Sequence, residues 1–239
     1  MKQFVFNGVG SASMGLAITG SGTYNAPERD LEKIPIPGRS GDLVVDHKRY
    51  KNIPVTYPVS ICDDFAAYAE GVRAWLMKSG GYQRLEDDYD PDHFRMALCK
   101  GPLTFSTDFL NRIGECSITF DCKPQRFLKA GERAITAENG GYINNPTGFP
   151  ALPLITVQGS GSGNLWVGSC RVEIKELDKF LALDSEMEEA YTATASGTRK
   201  YCNGSISAPE FPVLGYGLNR VTWDGGIAKV EIIPRWWTL

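Results

Sequence analysis

The sequence predicts a mainly β protein made of two β-sandwich domains, the first of which carries a single α-helix. Over residues 53–59 and 115–122, apolar side chains alternate with polar ones or prolines, at the period of two that half-buried strands show. Between these segments, residues 63–78 repeat apolar side chains at helical spacing. Beyond residue 130, short apolar runs separated by glycine- and asparagine-rich turns predict a second set of strands.

Two prolines in the first strand predict its place in the sheet. Pro54 and Pro58 are four residues apart, so their nitrogens, which carry no hydrogen, face the same side of the strand. That arrangement is tolerated where no neighbouring strand needs those hydrogen bonds. We therefore expect residues 53–59 to form an edge strand.

The predicted helix has a start signal and a stop signal. Asp63 or Asp64 can cap its first turn, and Gly80 and Gly81 follow its end. One face of this helix is apolar, which predicts that it packs on the first sandwich. The residues of that face are Phe65, Ala69, Val72 and Leu76.

The cysteines are expected to be buried thiols. No close CxxC pair exists, and Cys116 and Cys122 share a strand face but lie about 20 Å apart at the usual rise per residue, too far to pair. The start shows no secretory signal, so we expect a soluble protein made in a reducing cytoplasm, where disulfides are rare. The six cysteines are residues 62, 99, 116, 122, 170 and 202.

The length of 239 residues suits two medium domains, and the composition changes near residue 130. Periodicity weakens after Phe127, and glycine, asparagine and proline become frequent through Gly148, as at a domain boundary. We therefore predict domains at 1–130 and 131–239. The strands expected in the second domain are residues 154–157, 165–167, 170–174, 221–223 and 228–233.

Composition excludes several classes of function. Hydrophobic residues make up 42% and charged residues 22%, which is typical of a globular protein. A net charge of -3 with scattered lysine and arginine gives no surface for a phosphate backbone or an anionic membrane. No apolar stretch reaches the roughly 20 residues that span a bilayer. Nucleic acid and membrane are therefore not expected as partners.

The densest acidic segment superficially resembles a calcium loop. Asp88, Asp90 and Asp92 alternate as calcium ligands do. However, His93 stands where such a loop needs glycine, and Cys99 stands where it needs a bidentate glutamate. We therefore expect a solvated turn between strands and no metal site.

No other segment carries a catalytic or cofactor-binding motif. Gly159–Gly163 lacks the spacing of a phosphate-binding loop and precedes an apparent strand, so we expect a hairpin turn there. His47 and His93 lie outside any GxSxG or HExxH pattern. The sequence predicts that the protein is not an enzyme and that it has no catalytic residue, cofactor or metal.

Tryptophans concentrate in the second half of the chain, at Trp166, Trp223, Trp236 and Trp237. Exposed indole rings would suit stacking on sugars, because sugar C–H groups pack on flat aromatic faces. A sandwich core or a contact between subunits would use the same residues. Both interpretations stay open from the sequence.

The ordered motifs resemble the distal tail protein family of long-tailed phages with non-contractile tails, chiefly those that infect Gram-positive bacteria. The resemblance runs nearly end to end. Matching segments in the first half are Phe4–Gly8, Ile36–Gly41, the helix from Asp63 and Asp87–Arg95; those in the second half are Asn145–Thr147, Pro153–Gly159, Leu183–Glu186, Phe211–Gly215 and Ile233–Leu239.

This resemblance implies a fold and a set of partners. It implies a ring-forming belt domain at 1–130, a β-sandwich with one helix, and a galectin-like β-sandwich at 131–239. It implies a structural virion protein of the distal tail and baseplate, assembled in the host cytoplasm. Copies would close into a homohexamer, as one ring or two rings back to back, contacting the tail tube protein, the tail-tip hub protein and receptor-binding proteins. Carbohydrate binding to host cell-wall glycans, and a role as another ring-forming minor tail or tube protein, are the alternatives.

Candidate interface residues follow from the same motifs. The turn after residue 36 contains an arginine flanked by glycines, which can brace the turn itself or reach a neighbouring subunit. The prolines of the first strand mark a sheet edge that could contribute to joining subunits. The full set is Pro37, Gly38, Arg39, Gly41, Pro54, Pro58, Pro234, Arg235 and Trp236.

Overall fold

The computed structural model describes residues 2–20, 24–62, 65–108, 113–193 and 198–239. The chain divides into two compact units: unit 1 runs to Arg126 and includes Leu239, and unit 2 comprises Phe127–Thr238. Each unit has its own apolar core. The fold is mainly β, with curled sheets of the β-sandwich type and, within the described residues, one α-helix, α1, at Phe65–Met77. The predicted fold class is confirmed.

The strands of unit 1 are β1 (Phe4–Phe6), β2 (Val9–Gly10), β3 (Leu16–Ile18), β4 (Arg29–Pro35), β5 (Asp42–Tyr50), β6 (Ile53–Cys62), β7 (Gln83–Asp87), β8 (His93–Leu98), β9 (Ser106–Asp108) and β10 (Ile113–Leu128), whose last two residues fall in unit 2. The strands of unit 2 are β11 (Ile135–Thr136), β12 (Tyr142–Asn145), β13 (Leu154–Val167), β14 (Cys170–Asp184), β15 (Glu189–Ala193), β16 (Arg199–Tyr201), β17 (Ile206–Ser207), β18 (Gly217–Trp223), β19 (Ile227–Ile233) and β20 (Trp237–Thr238).

The main sheet of unit 1 has the order β2-β1-β7-β8-β10-β6-β3. Its longest ladder joins β6 to β10, from Ile53 opposite Cys122 to Cys62 opposite Ile113. Alternate residues of these strands point into a core rich in aromatic rings. The Phe4 and Tyr57 rings stack with centroids 4.9 Å apart, and Phe120 packs edge-on against Phe4 at 5.5 Å.

The prediction of an edge strand at residues 53–59 is correct for 53–58 and wrong at Val59, where β3 pairs. The short strand β3 pairs with residues 59–61, so β6 is an interior strand there. In the described part of the chain, residues 53–58 have a paired neighbour only on the β10 side. Pro58 lies just outside the β3 ladder, and its carbonyl accepts a hydrogen bond from the Thr19 N–H at 2.9 Å. Both prolines therefore avoid positions where an N–H would be required, which is the physical basis of the prediction.

The helix forms close to where its periodicity predicted it. Ala69, Val72 and Leu76 are buried, as expected of its apolar face. Trp75 ties it to the sheet by donating its indole N–H to the carbonyl of Phe6 at 3.1 Å. The proposed caps Asp63 and Asp64 and the side chain of Phe65 lie outside the described residues.

The acidic segment forms the turn between β7 and β8. Asp87 accepts hydrogen bonds from the backbone N–H groups of Tyr89 and Asp90, both at 2.9 Å. Asp90 in turn contacts His93 at 2.6 Å and Arg126 at 3.0 Å. These carboxylates therefore organise the turn.

Unit 2 is built on the long hairpin of β13 and β14, which pair from Leu154 opposite Asp184 to Val167 opposite Cys170. Its sheet has the order β11-β19-β13-β14-β15-β16, and β18 pairs with both β12 and β13. The buried residues of these strands form one continuous apolar cluster that includes Trp236. The two segments predicted at 154–157 and 165–167 are thus parts of one strand.

The prediction of a hairpin turn at Gly159–Gly163 is wrong, because β13 runs through it. The ladder with β14 is irregular between Gly161 and Gly163. A Cβ atom on Gly159 would lie 2.1 Å from the Gly226 carbonyl oxygen, and one on Gly163 would lie 2.4 Å from that of Asp224. The absence of side chains on these glycines therefore lets residues 224–226 of the same chain pass close to β13 at a bulge.

Five cysteines have described side chains, and all five are free thiols. Cys202 is half-buried and the other four are buried. The side chain of Cys62 lies outside the described residues. The buried ones are Cys99, Cys116, Cys122 and Cys170.

Candidate functional site

A long β-hairpin in unit 1 forms a two-stranded sheet of its own. Strands β4 and β5 pair antiparallel, with Ile34 opposite Leu43 and Lys33 opposite Val44. Nearly every residue from Arg29 to Arg49 is exposed. We call residues 29–50 the arm.

The tip of the arm is the turn at residues 36–41, which contains four of the predicted interface residues. Gly38 and Gly41 have φ of 77° and 85°, the left-handed region that favours glycine. The Arg39 N–H donates to the Ile36 carbonyl at 3.2 Å, whereas its side chain is exposed. Pro37 is exposed beside it. The glycines thus shape the tip and present Arg39 to solvent.

The base of the arm is held by a network of charged groups. Arg29 contacts the Asp46 carboxylate at 2.8 Å and the Tyr50 hydroxyl at 2.7 Å. Asp46 also accepts the backbone N–H of Lys48 at 2.8 Å, where the ladder has a bulge and Lys48 has φ of 57°. The Lys48 N–H and then Arg29 lower the pKa of Asp46. The bulge and the charge network fix the two strands at this end.

Further ion pairs at the base use the remaining nearby charges. Arg49 contacts Asp30 at 2.6 Å, and its hydrogen bond lowers the pKa of that carboxyl. Lys51 contacts Glu28 at 3.2 Å. Positive and negative groups are thus largely matched within the arm, which gives no field for a polyanion.

The outer part of the arm exposes apolar side chains on both faces. Cross-strand partners share a face, so Ile34, Leu43 and Val45 lie on one side and Leu31 and Val44 on the other. Val44 is 53% exposed and Leu43 is 48% exposed. A two-stranded sheet is marginally stable in water. Apolar groups on its two faces contribute to stability only when another surface covers them. The arm therefore has the character of an interaction surface.

The other predicted interface residues occupy different settings. Pro54 and Pro58 lie on β6, in the stretch beyond the β3 ladder. Pro234 and Trp236 are buried inside unit 2. Arg235 binds Asp184 through both terminal nitrogens, at 2.7 and 3.0 Å. These last three residues stabilise the interior of unit 2.

The apolar residues of the arm were missed from the sequence. Their signal is visible afterwards: Leu31, Ile34 and the run Leu43–Val45 stand among alternating charges on either side of a proline-glycine turn. That pattern is typical of two short strands with polar and apolar residues on each face. It does not stand out in the sequence because neither face is uniformly apolar.

Among the described residues, no group of three or more His, Cys, Asp or Glu side chains lies close enough together to hold a metal ion. Within the same residues, no helix is long and apolar enough to cross a membrane.

Comparison with known proteins gives structural matches. No protein-family model and no curated protein matches the sequence. The structure resembles the Dit protein of phage SPP1, described as a paradigm of the hub adsorption apparatus in phages that infect Gram-positive bacteria, with a TM-score of 0.76, 11% identity and 100% of both chains covered. It also resembles a chain of the phage P2 baseplate in its activated conformation with Ca, with a TM-score of 0.56, 8% identity and 97% of both chains covered. The corresponding baseplate structure with Sr gives a TM-score of 0.55 at 7% identity. The chain thus has the fold of the Dit, or distal tail, proteins, and the resemblance found in the sequence is confirmed at the level of the fold.

Proposed function

We propose that this chain is a structural protein of a phage tail tip and that about six copies close into a cyclic ring, the number that the resemblance to distal tail proteins implies. The ring would join the tail tube protein to the tail-tip hub protein and the receptor-binding proteins. The fold match to a hub protein over the whole chain supports this proposal. The observation that carries it within this molecule is the exposed arm with apolar residues on both faces.

The chemistry of the arm favours a protein partner, and in particular a second copy of this chain. Its base satisfies most of its charges internally, through Arg29 with Asp46 and Arg49 with Asp30. What remains for a partner is mainly apolar area toward the tip. A cyclic ring repeats one head-to-tail interface, in which a projecting element of one copy packs on a different surface of the next. An arm of this kind supplies such an element.

Catalysis is not part of the proposed role. The protein would act in the virion, at the distal end of a non-contractile tail, after assembly in the host cytoplasm. Its belt domain at 1–130 would form the ring, and its galectin-like domain at 131–239 would provide a docking surface for tip proteins.

The mass of the purified protein and electron microscopy test this role. We expect light scattering to give a species of about six chains of 26.3 kDa each, and images to show single or paired rings. Stacked tubes would instead indicate a tail tube protein. A monomeric mass at high protein concentration would overturn the proposal of a ring.

A matched pair of variants tests the arm itself. Leu43→Asp places a charge on the arm face that carries three apolar residues, and Tyr201→Asp places one at an equally exposed site on β16 of unit 2. Burying the new carboxylate in an interface is costly, so we expect Leu43→Asp to dissociate the ring into single chains that circular dichroism shows to be folded. Tyr201→Asp should leave the ring intact. Rings that survive both Leu43→Asp and Val44→Asp would show that the arm is not the contact.

A further inference from the structure

The outer face of one part of unit 2 carries aromatic and cationic side chains in a regular array. Strands β12, β18, β13 and β14 lie side by side there. Val221, Leu165 and Val172 point inward and are buried, so their sequence neighbours point outward. We call the outward set the outer face; it comprises Tyr142, Asn164, Trp166, Arg171, Glu173, Arg220 and Thr222.

The register places these side chains in adjacent rows. Trp166 lies between Arg171 on one neighbouring strand and Thr222 on the other. In the next row Tyr142 lies opposite Arg220, whose carbonyl accepts the Gly168 N–H at 2.8 Å. Tyr142 and Trp166 are therefore two strands apart, about 10 Å laterally at the usual strand spacing. Arg220 is on the strand between them.

A shallow depression lies beside the Trp166 ring. It has a volume of about 290 Å³ and is lined by Trp166, Gly168, Arg220 and Thr222. Gly168 has φ of 59°, in the region that favours glycine, and contributes no side chain to the floor. The depression therefore offers an aromatic wall, a hydroxyl and a guanidinium to one small ligand.

Beside Trp166, an arginine is held in place before any ligand arrives. The Nε and Nη2 atoms of Arg171 donate to the Asn164 side-chain oxygen at 3.1 and 2.8 Å. Asn164 is fixed in turn by donating to the Asp224 carboxylate at 3.0 Å. The Arg171 guanidinium lies over the Trp166 ring, 6.0 Å from its centre, and so occupies one face of the indole. Fixing both groups in advance lowers the entropy that binding would cost.

Unlike Arg171, Arg220 is not held by any other side chain that the structure describes. It is exposed, and among the described residues no acidic side chain forms an ion pair with it. A guanidinium recognises carboxylate, sulfate or phosphate oxygens in a bidentate manner. Its charge is thus available at the depression beside Trp166.

We propose that the outer face binds a saccharide that carries an acidic group. The sugar C–H face stacks on the side of Trp166 that lines the depression, its hydroxyls hydrogen-bond to Thr222, and its acidic group pairs with Arg220. Flat rings combined with fixed polar groups match a polyhydroxylated ligand better than they match an apolar protein surface. Trp236 takes no part, because it is only 4% exposed. The inference is independent of ring formation by unit 1.

The experiment uses the full chain on an array of neutral and acidic oligosaccharides, the latter uronic, sulfated or phosphorylated, followed by calorimetry on the best binder. We expect binding to acidic members only. Trp166→Ala and Arg220→Ala should each weaken it at least about tenfold, which corresponds to about 1.4 kcal/mol. Tyr201→Ala, which removes an exposed ring elsewhere in unit 2, should bind as the wild type does. Circular dichroism establishes that each variant is folded.

Each other outcome contradicts the proposal. No binding to any array member by the folded wild type would overturn it, and preference for neutral sugars would overturn the role of Arg220. If Trp166→Ala changes the mass of the assembly but not sugar binding, the face is a protein contact. Unchanged ring formation together with lost sugar binding in Trp166→Ala is the expected combination, and it keeps this test separate from that of the ring.

Discussion

The guanidinium of Arg235 donates two hydrogen bonds to the carboxylate of Asp184, with nitrogen–oxygen distances of 2.7 and 3.0 Å. Asp184 is 2% exposed, and it also accepts the backbone N–H of Glu186 at 3.1 Å. Arg235 has φ of 56°, which is uncommon for a residue with a side chain. Its own N–H donates to the Gly131 carbonyl at 2.9 Å. Both the backbone and the side chain of Arg235 therefore anchor the C-terminal segment of unit 2.

Replacing Arg235 with leucine should destabilise the protein strongly. The change leaves a buried carboxylate without its cation, which costs about 2 to 4 kcal/mol; the range is below that of a fully buried pair because Arg235 is partly exposed. Urea unfolding of unit 2, followed by tryptophan fluorescence, measures the loss. Asp184→Asn combined with Arg235→Leu should recover part of it, and a double variant no more stable than Arg235→Leu would contradict this account.

The same pair predicts a dependence on pH. Burial raises the pKa of Asp184, but hydrogen bonding and the charge of Arg235, helped by the Met187 and Glu186 N–H groups, bring it below its ordinary value. A lowered folded-state pKa contributes stability above the unfolded value of about 3.9 and loses it as pH falls through the folded value. The unfolding free energy should therefore decline below about pH 4. Asp184→Asn should show a shallower decline in the same titration, and equal slopes would argue against the assignment.

The buried hydroxyl of Tyr57 supports the turn between β7 and β8. It donates a hydrogen bond to Asp87, and burial raises the pKa of Tyr57, so this hydroxyl stays protonated through the alkaline range. Tyr57→Phe keeps the ring in the core and removes only the donor. We expect a loss of about 1 to 3 kcal/mol, as for a hydrogen bond to a charged group. Chemical denaturation measures it, and Tyr24→Phe, at a residue that is 80% exposed, is the matched control with no expected change.

Gly159 should tolerate no side chain. A Cβ atom there would approach the Gly226 carbonyl oxygen to 2.1 Å, and backbone cannot swing away as a flexible side chain can. Gly159→Ala should therefore cost more than about 2 kcal/mol or prevent folding of unit 2. Gly148→Ala, where the new methyl group meets open space, is the control. Equal melting temperatures for the two variants would contradict the predicted clash.

Local patterns were sufficient to predict several elements. Alternation identified β6 and half of β10, and helical spacing located α1 within two residues at its start. Such signals lie within one segment, because each element turns one face toward a core. The prolines of β6 correctly predicted a side without ladder hydrogen bonds along residues 53–58, but could not reveal β3, whose three residues carry almost no pattern.

What the sequence could not show depends on contacts between distant segments. Gly159–Gly163 has the composition of a turn, and only the passage of residues 224–226 explains why these glycines lie within a strand. Arg235 gave no sign that its partner is Asp184, 51 residues earlier. The outer face of unit 2 likewise combines residues from four strands. Tertiary placement of this kind leaves little trace in a single sequence.

The thiol of Cys122 should be inert in the folded protein. It lies in the core of unit 1, where burial raises its pKa to about 12, so at pH 8 it is protonated as well as inaccessible. Because its folded pKa is raised, its contribution to stability is present below the unfolded value of about 8.5 and is lost as pH rises toward 12. A disulfide reagent at pH 8, with labelled peptides identified by mass spectrometry, should modify half-buried Cys202 before the four buried thiols of the described residues. Cys122 should react only after denaturant is added, and labelling of native Cys122 as fast as Cys202 would show that the core of unit 1 is open.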